Sequence, residues 1–154
     1  MVIHEIAHNW FYGVVGNDEY DEAWLDESLT SYSEIVGAGS SQTTSSLEKL
    51  EKELREDYDD VIDIPVDQLG DNYTAAVYST GKSFLIQLRL AMGDESFNQF
   101  MKEYYQTYRM KIATTKGFIE VLSPYIEGNE DAKAICKKNT PSPKALSSSK
   151  NSVL

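Results

Sequence analysis

The sequence predicts an all-α chain, and three observations carry that prediction. Apolar residues recur with helical periodicity almost throughout. The periodic segments are separated by short runs rich in Gly, Pro, Asn and Ser, the residues that punctuate helices. The pair His4 and His8, framing Glu5, is spaced so that both imidazoles share one face if the backbone is helical, one turn apart.

A first helix is predicted over about Val2 to Val14. Its apolar residues occupy nearly every face except the His4-Glu5-His8 patch, so it requires burial on two sides. One side can be the rest of this chain. The other has no candidate here, and an exposed apolar surface is expected that another polypeptide segment covers. A turn at Gly16-Asn17-Asp18 leads to a second helix over about Glu22 to Val36, with Glu27 on its first turns. Gly37, Gly39 and the Ser-rich residues 40–46 read as a loop. Leu47, Leu50, Leu54 and Tyr58 form the stripe of a third helix, whose opposite face, with i,i+4 pairs such as Glu51 and Arg55, reads as solvated. Residues 62–71, with Pro65 and Gly70, read as an extended connection leading back toward the histidines.

A fourth helix is predicted over about Ala75 to Met92, stopped by Gly93. The fifth covers about Glu95 to Tyr108, with Phe97, Phe100, Met101, Tyr104, Tyr105 and Tyr108 as its packing surface. Thr115 is placed as the cap of a short helix through Leu122, Pro124 interrupts, and Asp131 to Lys138 forms a last helix. From Asn139 onward, Thr140-Pro141-Ser142-Pro143 and Ser147-Ser148-Ser149 are low-complexity and expected to be disordered. The domain reading is therefore a folded lobe over residues 1–138 and a tail over 139–154. No internal repeat is visible.

With 154 residues, 41% of them hydrophobic and 25% charged, the chain suits one globular domain. Its 14 basic and 25 acidic residues give a net charge of -11, which argues against nucleic acid as a partner, since phosphate backbones are met by basic faces. An acidic surface suits cationic substrates and is equally explained by solubility. Cys136, the single cysteine, forms no internal disulfide and reads as structural or incidental. No run reaches the length of a transmembrane helix and no leader pattern comes after Met1. Cytoplasmic and cell-envelope placements both stay open.

Chemistry concentrates at the amino terminus. The motif His4-Glu5-Ile6-Ala7-His8 is followed, after eighteen intervening residues, by Glu27. Two imidazoles on one helix face and a carboxylate from a second helix can converge on a single Zn2+ ion, leaving a fourth position for water, which is the mark of a catalytic site. Glu5 can reach that water as general base. The bland alternative is two core histidines and a solvated glutamate. Against it stand the downstream Glu27 and the apolar setting of Val2, Ile3, Ile6, Ala7, Trp10 and Phe11. A metzincin is excluded, because Phe11 and Val14 stand where its Gly and third His are required.

The spacing, the run His8-Asn9-Trp10-Phe11 and the run Trp24-Leu25-Asp26-Glu27 resemble the gluzincins of peptidase family M1, the aminopeptidase-N-like zinc enzymes. Tyr78-Ser79-Thr80-Gly81 resembles that family's Y-x-x-G element, and Leu88-Arg89 with Met92-Gly93-Asp94-Glu95-Ser96-Phe97 is similar to the family's segment on the C-terminal side of that element. The resemblance implies the helical lobe of a thermolysin-like zincin catalytic domain. It implies His4, His8 and Glu27 as zinc ligands, Glu5 as general base, Tyr78 as the phenol that stabilises the oxyanion, a peptide substrate, and exopeptidase action at amino termini. Glu34, seven residues after Glu27 and on nearly the same helical face, is placed either to orient a ligand imidazole or to be solvated.

Two residues depart from the family pattern: Ser28 stands where Gly is usual and Asn9 where Gln or His is common. Nothing corresponds to the family's N-terminal β-rich lobe, whose G-x-M-E-N-type strand binds the substrate's amino terminus. The chain is therefore expected to be the C-terminal half of a catalytic domain. The rival readings are a catalytically incompetent zinc-binding fragment serving as an interaction module, and a helical protein in which the motif is a coincidence.

Overall fold

The computed structural model describes residues 2–37 and 42–141. Eight α-helices and two two-residue strands are formed among them: α1 Val2–Ala7, β1 Val15–Gly16, α2 Trp24–Gly37, α3 Thr44–Glu53, α4 Val66–Leu69, α5 Gly81–Met92, α6 Asp94–Tyr108, β2 Lys111–Ile112, α7 Thr115–Leu122 and α8 Glu130–Asn139. The predicted all-α class holds. No helix among the described residues is long and apolar enough to cross a membrane.

The core is aromatic. Phe118 of α7 receives Trp24, Phe100 and Tyr104 with ring centroids at 5.1, 5.1 and 5.2 Å, and Phe84 of α5 meets Trp24 edge-on at 5.7 Å. All of these rings are fully buried. Such edge-to-face pairs contribute roughly 0.5–1.5 kcal/mol each beyond their area burial. Trp24, the first residue of α2, thus anchors that helix start in the core. Its indole Nε1 donates to Thr115 Oγ1 at 2.9 Å, and Thr115 donates to Asp63 Oδ1 at 2.6 Å.

Several elements differ from the sequence reading. The first helix stops at Ala7 instead of Val14. The Asn9 amide donates to the Ile6 carbonyl, Gly13 N reaches back to His8 O, and Tyr12 takes φ 113°, so the chain reverses. Val15–Gly16 then pairs in parallel with Lys111–Ile112, a contact across most of the chain that no local pattern encodes. Residues 62–71 are not wholly extended: α4 and a 3-10 turn, Gly70–Asn72, lie within that stretch or at its edge. The fourth helix divides into a π-helical turn, Ala75–Thr80, and α5.

Helix α3 ends at Glu53, and the predicted solvated face is wrong for its last charges. Arg55 is nearly buried; it donates to Glu51 Oε1 at 2.9 Å, to Ser83 Oγ of α5 at 2.8 Å and to Asn139 Oδ1 of α8 at 3.1 Å. Thr114 caps α7, accepting from Gly117 N, while Thr115 is spent on Asp63 and Trp24. Helix α8 runs to Asn139, which is buried and whose carbonyl accepts from Ile62 N. The stretch expected to be disordered lies, from residue 142 on, outside the described residues.

Candidate metal centre

Helix α1 lies against α2, and α2 against the π-helical turn and α5. These contacts bring three separated sequence segments together. Although α1 ends at Ala7, His8 N still donates to His4 O at 3.2 Å, so the one-turn relation of the two imidazoles survives. His4 Nε2 stands 3.1 Å from His8 Nε2 and 3.1 Å from Glu27 Oε2, and His8 Nε2 stands 3.6 Å from the same oxygen. Among the described residues this is the one group of three or more such side chains whose donor atoms converge.

The donor set fits a small divalent cation. A tetrahedral ion with bonds of about 2.0–2.1 Å separates its ligand atoms by about 3.3–3.4 Å, and the three distances bracket that value. The proton inventory agrees. His8 Nδ1 lies 3.2 Å from the Phe11 carbonyl; as the donor there, a neutral ring leaves Nε2 as a bare lone pair. On the other ring, Ser31 Oγ lies 3.4 Å from His4 Nδ1. Two imidazoles and a carboxylate suit zinc.

The cleft encloses about 280 Å³ and is lined by Glu5, His8, Tyr12, Glu19, Asp26 and Glu27. Glu5 is exposed at its mouth. Tyr78 comes from the π-helical turn, its ring 5.6 Å from that of His4 and 6.1 Å from that of Tyr73. Burial raises its phenol above the ordinary value, and the hydrogen bond and charge of Glu27 raise it further. A π-helical turn is a frequent device at functional sites. Burial likewise pushes the Asp26 carboxyl up to about 6, against the lowering effect of its hydrogen bond from Asn17.

Ser28 explains its own departure from the family pattern. Its Oγ donates to the Val77 carbonyl at 2.7 Å, and a Cβ on Gly81 would fall 1.8 Å from that oxygen. Gly81 therefore keeps α5 close enough for Ser28 to hold the turn that carries Tyr78. Glu34 Oε2 lies 3.6 Å from Lys82 Nζ, while the position next to His4 Nδ1 belongs to Ser31. Asp26, Asn17 and Ser31 were not singled out from the sequence. Asp26 had one signal, an acid directly beside Glu27; Asn17 and Ser31 had none, since polar residues in a turn or on a helix are ordinary. Cys136 is buried, its thiol pushed up to about 11 by that burial, which fits a structural residue.

Residues 1–138 match the peptidase family M1 domain. The chain belongs to this family. This M1 chain is 26% identical over 151 residues to leucine aminopeptidase 2 of Yarrowia lipolytica, covering 85% of the chain and 23% of the relative. To rat (Rattus norvegicus) aminopeptidase B it is 27% identical over 141 residues, covering 81% and 22%. Its fold is similar to the crystal structure of an M1 zinc metallopeptidase from Deinococcus radiodurans, a single-residue mutant bound to a Tyr-Ser-Ala substrate, with a TM-score of 0.73 and 21% identity. That match covers 92% of the chain and 33% of the structure. The M1 chain thus spans about a quarter of the curated relatives and about a third of the solved structure, which bears out the helical-lobe expectation.

Proposed function

We propose that this chain supplies the zinc-holding and proton-transferring part of a metallopeptidase that hydrolyses peptide bonds, acting as an aminopeptidase. His4, His8 and Glu27 hold one zinc ion. Bound there, zinc supplies Lewis acidity, bringing the pKa of a coordinated water to about 7 and polarising the substrate carbonyl. Glu5, at the mouth of the cleft, takes the proton of the attacking water and returns it to the leaving amine. Tyr78, with its phenol kept protonated, donates a hydrogen bond to the carbonyl oxygen as negative charge develops on it. Ser31 and the Phe11 carbonyl hold the two rings with their Nε2 atoms turned inward.

The observation that carries this reading is the convergence of three donor atoms at 3.1–3.6 Å. The names of the relatives support the aminopeptidase assignment. Substrate binding in the intact enzyme draws on a further lobe or another chain that covers α1. The test has two readouts. Metal analysis of the purified chain is expected to give one zinc per molecule, and cleavage of aminoacyl-anilides is expected to be abolished by chelator. Glu5→Gln should keep the zinc and lose about 10²–10⁴-fold in rate. A chain without stoichiometric zinc would sink the reading.

A second reading is favoured by the exposed apolar side chains of α1 and its surroundings, Val2, Ile6 and Trp10. In it the chain keeps the metal but serves as an interaction module. Zinc uptake without any chelator-sensitive cleavage would favour that version.

A further inference from the structure

We propose that Asp26, clamped by Asn17, is the positioning group behind His8, and that this pair sets how tightly the cleft holds its metal. The inference rests on the zinc reading above. Asp26 is only 4% exposed, and a carboxylate taken out of water needs compensation. Its Oδ1 accepts a 2.9 Å hydrogen bond from Asn17 Nδ2, and its Oδ2 faces His8 Nδ1 at 3.8 Å. The Phe11 carbonyl lies nearer to that nitrogen, at 3.2 Å, so the ring N–H is held by a neutral acceptor while the carboxylate, beyond hydrogen-bond distance at 3.8 Å, acts on the ring through its charge.

The Asn17 side chain shows what holding Asp26 demands of the fold. Both contacts of its Nδ2, to the Glu22 carbonyl and to Asp26, are made while its own Oδ1 is buried with no hydrogen-bond partner among the described residues. Leaving an acceptor bare is unfavourable, and the turn between β1 and α2 accepts it at the point where Asp26 is aimed at His8. A cation on His8 Nε2 draws electron density from the ring and strengthens the Nδ1–H dipole, and the fixed carboxylate then stabilises the liganded ring more than the free one. Asp26 also lies in the first turn of α2, where an acid favours the helix end, and the experiment has to separate that role.

Zinc affinity measured by competition with a chromophoric chelator makes the separation, with thermal unfolding of the metal-free chain alongside. Asp26→Ala is expected to weaken zinc by about 10- to 100-fold, Asp26→Asn by a smaller factor because the amide still presents an oxygen to His8, and Asn17→Ala in the same direction. The cobalt-loaded forms should show altered visible absorption in the same order. A helix-end role alone predicts a lower melting temperature with unchanged zinc affinity in the folded chain. That result, or wild-type affinity in both Asp26 variants, overturns the proposal while leaving the zinc site standing. A wild-type chain that binds no zinc, with His8→Ala as the matched control, removes both.

Discussion

At the scale of single residues, Tyr78 concentrates the chemistry that local sequence says least about, because it is one of ten tyrosines. Beside His4 and Glu27 its phenol ionises less readily than an ordinary tyrosine, since burial first and the Glu27 carboxylate second both oppose loss of its proton. Tyr78→Phe is expected to keep zinc and lower anilide cleavage by about 10²–10³-fold, the effect of removing one donor to a developing oxyanion. In an alkaline absorbance titration, wild type and Tyr78→Phe should show the same phenolate step near pH ~10, the ordinary tyrosine value. An additional step there in wild type would show that Tyr78 ionises normally. The proposed ligands His4, His8 and Glu27 were legible because zinc chemistry constrains their spacing within and after one helix turn. Ser31 and Asn17 were not, because their roles come from which side chain happens to be opposite.

Between elements, the π-helical turn and α2 are tied at one close approach by a hydrogen bond, Ser28 to Val77 across Gly81. Gly81→Ala drives a methyl into Ser28 Oγ and should cost about 1–3 kcal/mol in chemical denaturation. Ser28→Gly on the same chain removes the clash, so the double variant should recover most of that loss; additive losses would count against the contact. A second junction, Trp24–Thr115–Asp63, ties α2, α7 and the connection before α4. Burial holds the Asp63 carboxyl above its ordinary value, with the hydrogen bonds from Thr115 and Trp24 pulling the other way. The folded chain therefore keeps this proton better than the unfolded one, so the group's stability contribution is full below the unfolded value of about 3.9. It is lost as pH rises through the window up to the folded value. Asp63→Asn lacks that slope. As pH rises above about 3.9, urea midpoints should fall for wild type relative to Asp63→Asn, and parallel curves would refute the raised value.

Over the whole molecule, the feature with the largest consequence is the apolar surface around the histidine-bearing segment. Val2, Ile6, Trp10, Tyr12, Met110 and Ile112 are all at least 49% exposed, and beside them a groove of about 570 Å³, with Trp10, Phe11, Met101 and Tyr105 in its wall, lies apart from the donor set. Contiguous apolar patches mark contact surfaces. The isolated chain is expected to bind a hydrophobic dye and to scatter light as more than a monomer at rising concentration, and Trp10→Ser with Met110→Ser should reduce both. A clean monomer with no dye signal would remove the case for a covering segment. The part of this surface on the first helix was legible from its sequence, whose apolar residues outnumbered the sides one chain could bury, while Met110 and Ile112 were not singled out. Legible too were the helical class, the order of the helices and the convergence of His4, His8 and Glu27, because periodicity and side-chain spacing are local or dictated by covalent geometry. What only the tertiary structure decided is where regularity yields: the end of α1 at Ala7, the β1–β2 pair and the π-helical turn at Tyr78. The last two are settled by partners distant in sequence, while α1 ends through bonds made within the next few residues; in each case specific hydrogen bonds and close packing outweigh the few tenths of a kcal/mol per residue by which local propensity prefers a continuous helix.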